Sequence, residues 1–233
     1  MTLPVPVAVF ASGGGTNLQA LLDREGDGTA YRVALVVSNL PDAGALERAR
    51  NEGRGAVVIP LKDRPPEEVD SDTLDALRDG GIEMILLAGY LHLVPPGVVR
   101  AYRGRMLNVH PALLPAFGGT GMWGMNVHRA VLEAGVGTSG LTVHFVADEY
   151  DTGSILAQWP VPVLPHDDPE MLAGRILRVE HALYPAAADY LARAIAEDRE
   201  APPLGLLGVG APAVTEMDDE ELARVIRVAV RGH

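Results

Sequence analysis

Asn108 and His110 interrupt an otherwise apolar run in "MLNVHPALLPAF" (106–117). Met106, Leu107 and Val109 suit a buried strand, and Pro111 stops the run from continuing as a helix. Side chains alternate along a strand, so Asn108 and His110 share one face at its C-terminal end. An amide N–H and an imidazole N–H can both stabilise the oxygen charge that develops in acyl transfer, and a histidine can also pass a proton. A purely structural Asn–His pair would read the same way. A third group separates the two readings. "VADEYDTGS" (146–154) supplies Asp148, Glu149 and Asp151. If that segment lies beside 106–110, an aspartate there reaches His110 and holds it charged and oriented. The competing reading is an acidic, solvated turn, where Asp and Gly are common in any case.

A second chemical stretch is "SGGGTN" (12–17). Three glycines let backbone N–H groups approach an anion, and the start of a helix favours negative charge. Thr16 or Asn17 is placed to cap that helix and to donate to a phosphate. The loop matches neither G-x-G-x-x-G nor G-x-x-x-x-G-K-[ST], so the expected ligand is one phosphate group, not a dinucleotide or a nucleoside triphosphate. A tight turn that needs glycine for positive φ is the alternative.

These residues need elements to position them. Short apolar runs at 5–10, 32–39, 55–60, 83–89 and 106–110 alternate with helical patterns at 17–25, 43–52, 66–81 and 95–102. Strands that alternate with helices at this spacing predict βαβ units and a parallel sheet, and near-continuous apolar runs predict strands covered on both faces. After residue 137, segments 138–147 and 154–163 alternate more and are joined by the turn-like "DEYDTG", which predicts an antiparallel pair. A long helical pattern follows at 169–200, with Pro185 as a point of bending, then a Pro/Gly-rich stretch and an amphipathic helix at 218–232 after an Asp cap. The fold class expected is α/β, a Rossmann-like, mostly parallel sheet with helices on both faces and a late antiparallel strand pair. Residues 1–200 form the main domain of this reading, and 201–233 a C-terminal arm.

Bulk composition narrows the partners. With 19 Lys+Arg against 31 Asp+Glu, the net charge is −12, which argues against a general nucleic-acid or anionic-membrane binder. There are no cysteines, so disulfides, thiol catalysis and thiolate metal sites are excluded. The isolated histidines form no ligand cluster, and no metal is assigned. The N-terminus lacks a signal-peptide pattern and no run reaches the ~18 apolar residues of a membrane span, so a cytoplasmic location is expected.

Taken in order, "SGGGTNLQAL", "LAGYL", "LNVHPALLPAF", "HFVADEYDTG" and "RVEHALYP" resemble the glycinamide ribonucleotide formyltransferases, folate-dependent enzymes of purine biosynthesis. The resemblance spans roughly residues 5–195. It implies the formyltransferase fold, with Asn108, His110 and Asp151 as the catalytic set. It implies Gly15, Thr16 and Asn17 at the acceptor's phosphate and Glu180 on the glycinamide ribonucleotide. Leu91, His92, Leu93 and Val94, with Asn108 and Ala147, Asp148, Glu149, Tyr150 and Asp151, would line the pteridine pocket of 10-formyltetrahydrofolate. Arg64 would face its benzoyl-glutamate part. Two departures stand out. His92 sits where family members often carry Arg, and the loop after Pro115 is longer than the common form, so His128 either replaces a family histidine or begins a helix.

The reaction so implied is attack of an amine on the formyl carbon of the folate, with Asn108 and a charged His110 on the oxyanion and Asp151 relaying the amine proton. The expected partners are small molecules, with no nucleic acid or membrane, and a homodimer is compatible with the sequence. Three other readings compete: hydrolysis of the formyl folate, formylation of an aminoacylated tRNA (disfavoured by the acidic charge), and a non-catalytic nucleotide-binding regulator.

Overall fold

Runs of Val, Ile and Leu with both faces covered become strands, and the amphipathic stretches between them become the covering helices. In a computed structural model that describes residues 3–26 and 28–232, the strands are β1 (Val5–Phe10), β2 (Tyr31–Ser38), β3 (Gly55–Val58) and β4 (Met84–Leu87). They continue with β5 (Met106–His110), β6 (Thr138–Phe145), β7 (Ile155–Pro162) and β8 (Gly205–Leu206). The helices are α1 (Thr16–Arg24), α2 (Gly44–Asn51), α3 (Pro66–Asp79) and α4 (Pro96–Ala101). After them come α5 (Met125–Glu133), α6 (Pro169–Ala196) and α7 (Asp219–Arg231).

All eight strands form one sheet in the order β3-β2-β1-β4-β5-β6-β7-β8. β1 to β5 pair in parallel, and β6 runs antiparallel to both β5 and β7. The expected α/β architecture with its late antiparallel pair is present. One face of the sheet packs against α1, α2, α6 and α7 through residues such as Leu18, Leu46, Leu183 and Ile226; the other packs against α3 and α4 through Leu77 and Val98. The strand order reverses on either side of β1, whose neighbours are β2 and β4. Loops leaving the C-terminal ends of β1 and β4 therefore diverge and open a crevice. Ser12 N–H donates to the Gly89 carbonyl at 3.0 Å across it.

Several details differ from the sequence reading. Neither Thr16 nor Asn17 caps α1; Gly15 does so in the left-handed conformation (φ 76°), without a side-chain bond. A Cβ at Gly15 would lie 2.8 Å from the Ala45 backbone, so the absent side chain also lets α1 and α2 approach. His128 does not begin a helix; it lies inside α5, which starts at Met125. The two-residue β8, parallel to β7, was not foreseen.

α6 is the long helix predicted, capped by Asp168 accepting from Met171 N–H at 2.7 Å, and it continues through Pro185. The buried Tyr184 hydroxyl lies 2.9 Å from the Leu87 carbonyl and 3.1 Å from that of Leu107, pinning α6 to the ends of β4 and β5. Residues after 200 share the same core: Leu204, Leu207, Val214, Met217, Leu222, Ile226 and Val230 are buried in the cluster that holds α6. Arg178 of α6 fixes this segment by donating to Asp219 and to the carbonyls of Val214 and Met217.

Candidate active site

β5 ends at the crevice, and its register with β6 builds the site. Asn108 pairs with His144 and His110 with Thr142, so all four side chains leave the same face of the sheet. His144 was not singled out from the sequence. The signal existed: Thr142 and His144, two apart in "TVHFV", repeat the pattern of Asn108 and His110 in a buried strand. Thr142 has a structural task. Its hydroxyl donates to the Ala112 carbonyl at 2.6 Å and accepts from Leu114 N–H and Gln158 Nε2, which fixes the chain leaving β5.

The turn between β6 and β7 swings Asp151 over these residues. It takes a positive φ of 57°, a conformation that aspartate tolerates better than most residues. Oδ2 accepts from Gly119 N–H at 2.9 Å and lies 3.5 Å from His110 Nδ1. Oδ1 lies 3.5 Å from both Asn108 Nδ2 and His144 Nε2. Burial pushes the Asp151 carboxyl up, but the polar groups around it, the Gly119 N–H donor among them, bring it below its ordinary value. It is a carboxylate at neutral pH.

The tautomers follow from the carbonyls, which can only accept. His110 Nε2 lies 2.8 Å from the Phe117 carbonyl and therefore carries the proton, leaving a bare Nδ1 toward Asp151 in the neutral ring. His144 Nδ1 lies 2.9 Å from the Phe145 carbonyl and carries its proton there, so Nε2 accepts from Asn108 Nδ2 at 3.1 Å. Burial lowers the His110 pKa more than Asp151 and the Phe117 carbonyl raise it. That shift favours a neutral His110 ring in the unliganded protein, whereas the resemblance implies a charged one during the reaction.

Asn108, His110 and Asp151 open on a cavity of about 760 Å³, within the usual range for small-molecule sites. Gly13 and Glu180 form part of its wall, as do His128, one of whose expected roles was to replace a family histidine, and the half-exposed Trp123, for which no role was expected. His128 is buried, and its Nδ1 has no hydrogen-bond partner among the described residues. The helix start at Thr16 and Asn17 leaves backbone N–H groups without helical acceptors. Asn17 Nδ2 donates to Glu180 Oε1, which joins two residues assigned to the acceptor. Burial raises the Glu180 carboxyl to about 7 despite that bond. The Thr16 side chain faces a separate groove of about 670 Å³ between α1, α6 and α7, so the glycine loop stands between the two spaces.

His92, Leu93, Val94, Ala147, Glu149 and Tyr150 gather with Asn108 and Asp151 around a small adjoining cavity. At about 40 Å³ it holds about one water molecule. Leu91 faces the large cavity instead, and Asp148 lines neither. Arg64 is not brought to the site. Its guanidinium is paired with Asp72 at 2.7 Å and Glu68 at 3.6 Å beside α3. No group of three or more His, Asp or Glu side chains placed to hold a metal occurs among the described residues. No helix there is long and apolar enough to cross a membrane.

Known proteins similar to this chain define its family and fold. The sequence profile of the family described as formyl transferase matches residues 5–188. The chloroplastic phosphoribosylglycinamide formyltransferase of Arabidopsis thaliana is 49% identical over 181 residues, which cover 76% of this chain and 62% of that protein. The solved glycinamide ribonucleotide transformylase 1 from Symbiobacterium toebii superposes with a TM-score of 0.75 at 42% identity, covering 82% of this chain and 88% of that one. The phosphoribosylglycinamide formyltransferase from Bacillus halodurans gives 0.74 at 36% identity, with 80% and 94% covered. The chain spans about three fifths of the length of the curated plant relatives it matches.

Proposed function

The chain belongs to the formyl transferase family, and on that footing we propose that it transfers the formyl group of 10-formyltetrahydrofolate to the amine of 5-phosphoribosylglycinamide, a step of purine biosynthesis. The observation that carries this reading is one continuous cavity. It has Asn108, His110 and Asp151 on one wall and Glu180 with Gly13, at the start of the glycine loop, on another. An acceptor whose phosphate rests on the N–H groups of Gly15, Thr16 and Asn17 extends past Glu180 toward the polar cluster.

The attacking amine forms a bond to the formyl carbon, and the carbonyl electron pair moves onto oxygen. Asn108 Nδ2 and His110 Nε2 are the N–H donors at the cavity wall. At rest they are held by His144 and the Phe117 carbonyl, and they exchange those acceptors for the oxyanion. The amine nitrogen must then lose a proton and the leaving folate nitrogen gain one. Asp151 takes the first, directly or through water, and His110 Nδ1 is the adjacent base that shares it. Collapse of the intermediate returns the electron pair to carbonyl and breaks the bond to the folate nitrogen, which takes up the proton that Asp151 received from the amine. The folate ring is read by the segments 91–94 and 147–151. Arg64 contributes only if it leaves Asp72.

No compartment follows from the family, since the plant relatives are chloroplastic. The test is formyl transfer from 10-formyltetrahydrofolate to phosphoribosylglycinamide, with water as the rival acceptor. Formylated acceptor in amounts matching the folate consumed supports the proposal. Folate consumption that ignores the acceptor makes the protein a hydrolase instead.

A further inference from the structure

Away from the active site, a cavity of about 260 Å³ lies where α1, α6 and α7 end. Five of the chain's 19 basic residues line it: Arg24, Arg193, Arg199, Arg227 and Arg231. In a protein of net charge −12 this is a local reversal of sign. Two of the five are occupied. Arg193 is paired with Asp189 and donates to the Gly28 carbonyl, and Arg199 is paired with Glu197 over the Tyr190 ring. The guanidiniums of Arg24, Arg227 and Arg231 have no ion-pair or hydrogen-bond partner among the described residues; Arg24 is engaged only through its backbone, whose carbonyl accepts from the Thr29 hydroxyl.

The plain explanation is that arginines settle at helix C-termini to offset the macrodipole, and Arg24, Arg193 and Arg231 do stand in last turns. Each such terminus carries only about half a negative charge, however. Asp189 and Glu197 are already matched by Arg193 and Arg199. The remaining guanidiniums exceed what the three termini neutralise. They also come from separate elements, so their convergence is a tertiary feature; Arg24 and Arg227 stand between this hollow and the groove of about 670 Å³, and Arg231 lines the hollow only. Ala186, Pro202 and Val230 supply its apolar wall.

We propose that this cavity is a second binding site, for a compact anion carrying two or more charges and of the phosphate or diphosphate class. Guanidinium forks match phosphate oxygens in bidentate fashion. The volume falls below the ~300–1,000 Å³ typical of drug-sized ligands, which excludes a folate or a whole dinucleotide. α7 supplies Arg227 and Arg231, so the site depends on the segment beyond the part matched by the family profile, which ends at residue 188. It does not depend on the proposed reaction.

Isothermal titration with inorganic pyrophosphate at low ionic strength tests it, with no folate or acceptor present. The glycine loop is a separate anion site, so the expected result is two binding events. One of them weakens about tenfold for each guanidinium removed, the worth of one hydrogen bond to a charged group. The variants are R24Q/R227Q and R231Q, with R100Q on α4 as a control. Arg231 is exposed in the last turn of α7, so R231Q reports even if the double variant fails to fold. Unchanged titrations in both variants would overturn the proposal. So would an equal loss in R100Q, which would mean diffuse charge rather than a site.

Discussion

Asp151 touches every polar member of the cluster, and its removal should therefore act on rate rather than on binding. Asp151→Asn keeps the size and the Gly119 bond but removes the base, so turnover should be lost while a non-reactive folate analogue still binds in a calorimetric titration. Loss of folate binding in that variant would make Asp151 a binding residue. His110→Ala and Asp151→Ala should each lower kcat by about 10²–10³ with little change in KM, the usual cost of a donor used only in the transition state. Their double variant should be scarcely worse than either, because the two act as a unit; fully multiplicative losses would separate them. Glu180 gives a pH signature of the opposite sign to Asp151. Its folded pKa, about 7, is above its unfolded value near 4.5, so its contribution to stability is complete below 4.5 and is lost as pH rises through 7. Asp151, with a lowered folded pKa, contributes above its unfolded value and loses that contribution as pH falls through the folded one. Glu180→Gln cannot ionise and can still accept from Asn17. Denaturant midpoints without ligand should then show the variant gaining on the parent between about pH 4.5 and 7 and level above that. A constant gap would mean that Glu180 is charged throughout.

At the scale of elements, β6 does more than continue the sheet. Thr142 holds the chain after β5 through two hydrogen bonds and ties it to Gln158 of β7 through a third, and His144, two residues on, buttresses Asn108. Thr142→Val keeps the shape but leaves the Leu114 N–H without its acceptor and the Ala112 carbonyl without its donor. Chemical denaturation should show a loss of about 2–6 kcal/mol, the cost of two buried unsatisfied groups, with kcat falling as Pro111–Pro115 shifts. Much of this layer was legible beforehand. Val7, Val9, Leu86 and Leu107 announce strands because both faces of a central strand are buried, and Asn108 and His110 stand out against them. His144 did not stand out, since its strand was read for alternation and not for the polarity of its inward face. Nor did the cap of α1, where Gly15 replaced the side chains of Thr16 and Asn17 because a close approach to Ala45 requires it. The two residues of β8 carry no periodicity at all. Arg64 shows the limit of position alone: nearby Asp72 and Glu68 take its guanidinium, and neither is marked in the sequence as its partner.

For the molecule as a whole, the family resemblance ends before the core does. A Cβ on Gly208 would meet the indole of Trp159 at 2.8 Å, so the C-terminal segment lies directly on that buried ring. Deleting residues 201–233 removes the segment's own burial and its ordering entropy together, so the cost that counts is on the face left behind. Uncovering Trp159 and its neighbours on α6 should destabilise the protein by at least about 3 kcal/mol, and Trp159 emission should shift to the red. A truncated protein with unchanged emission and melting would show that the segment is an accessory. α6 links the distant parts: Glu180 at the active site, Tyr184 on the sheet, Arg193 at the arginine-lined cavity. Yet Pro185 sits inside it without an N–H to offer the His181 carbonyl, so the ladder of helical bonds is missing a rung between those two places. In deuterium exchange the helix should accordingly behave as two blocks. The amides of 172–184 would open on one timescale and those of 187–196 on another. An acceptor bound at Glu180 would then slow uptake in the first block alone, and an anion among the arginines in the second.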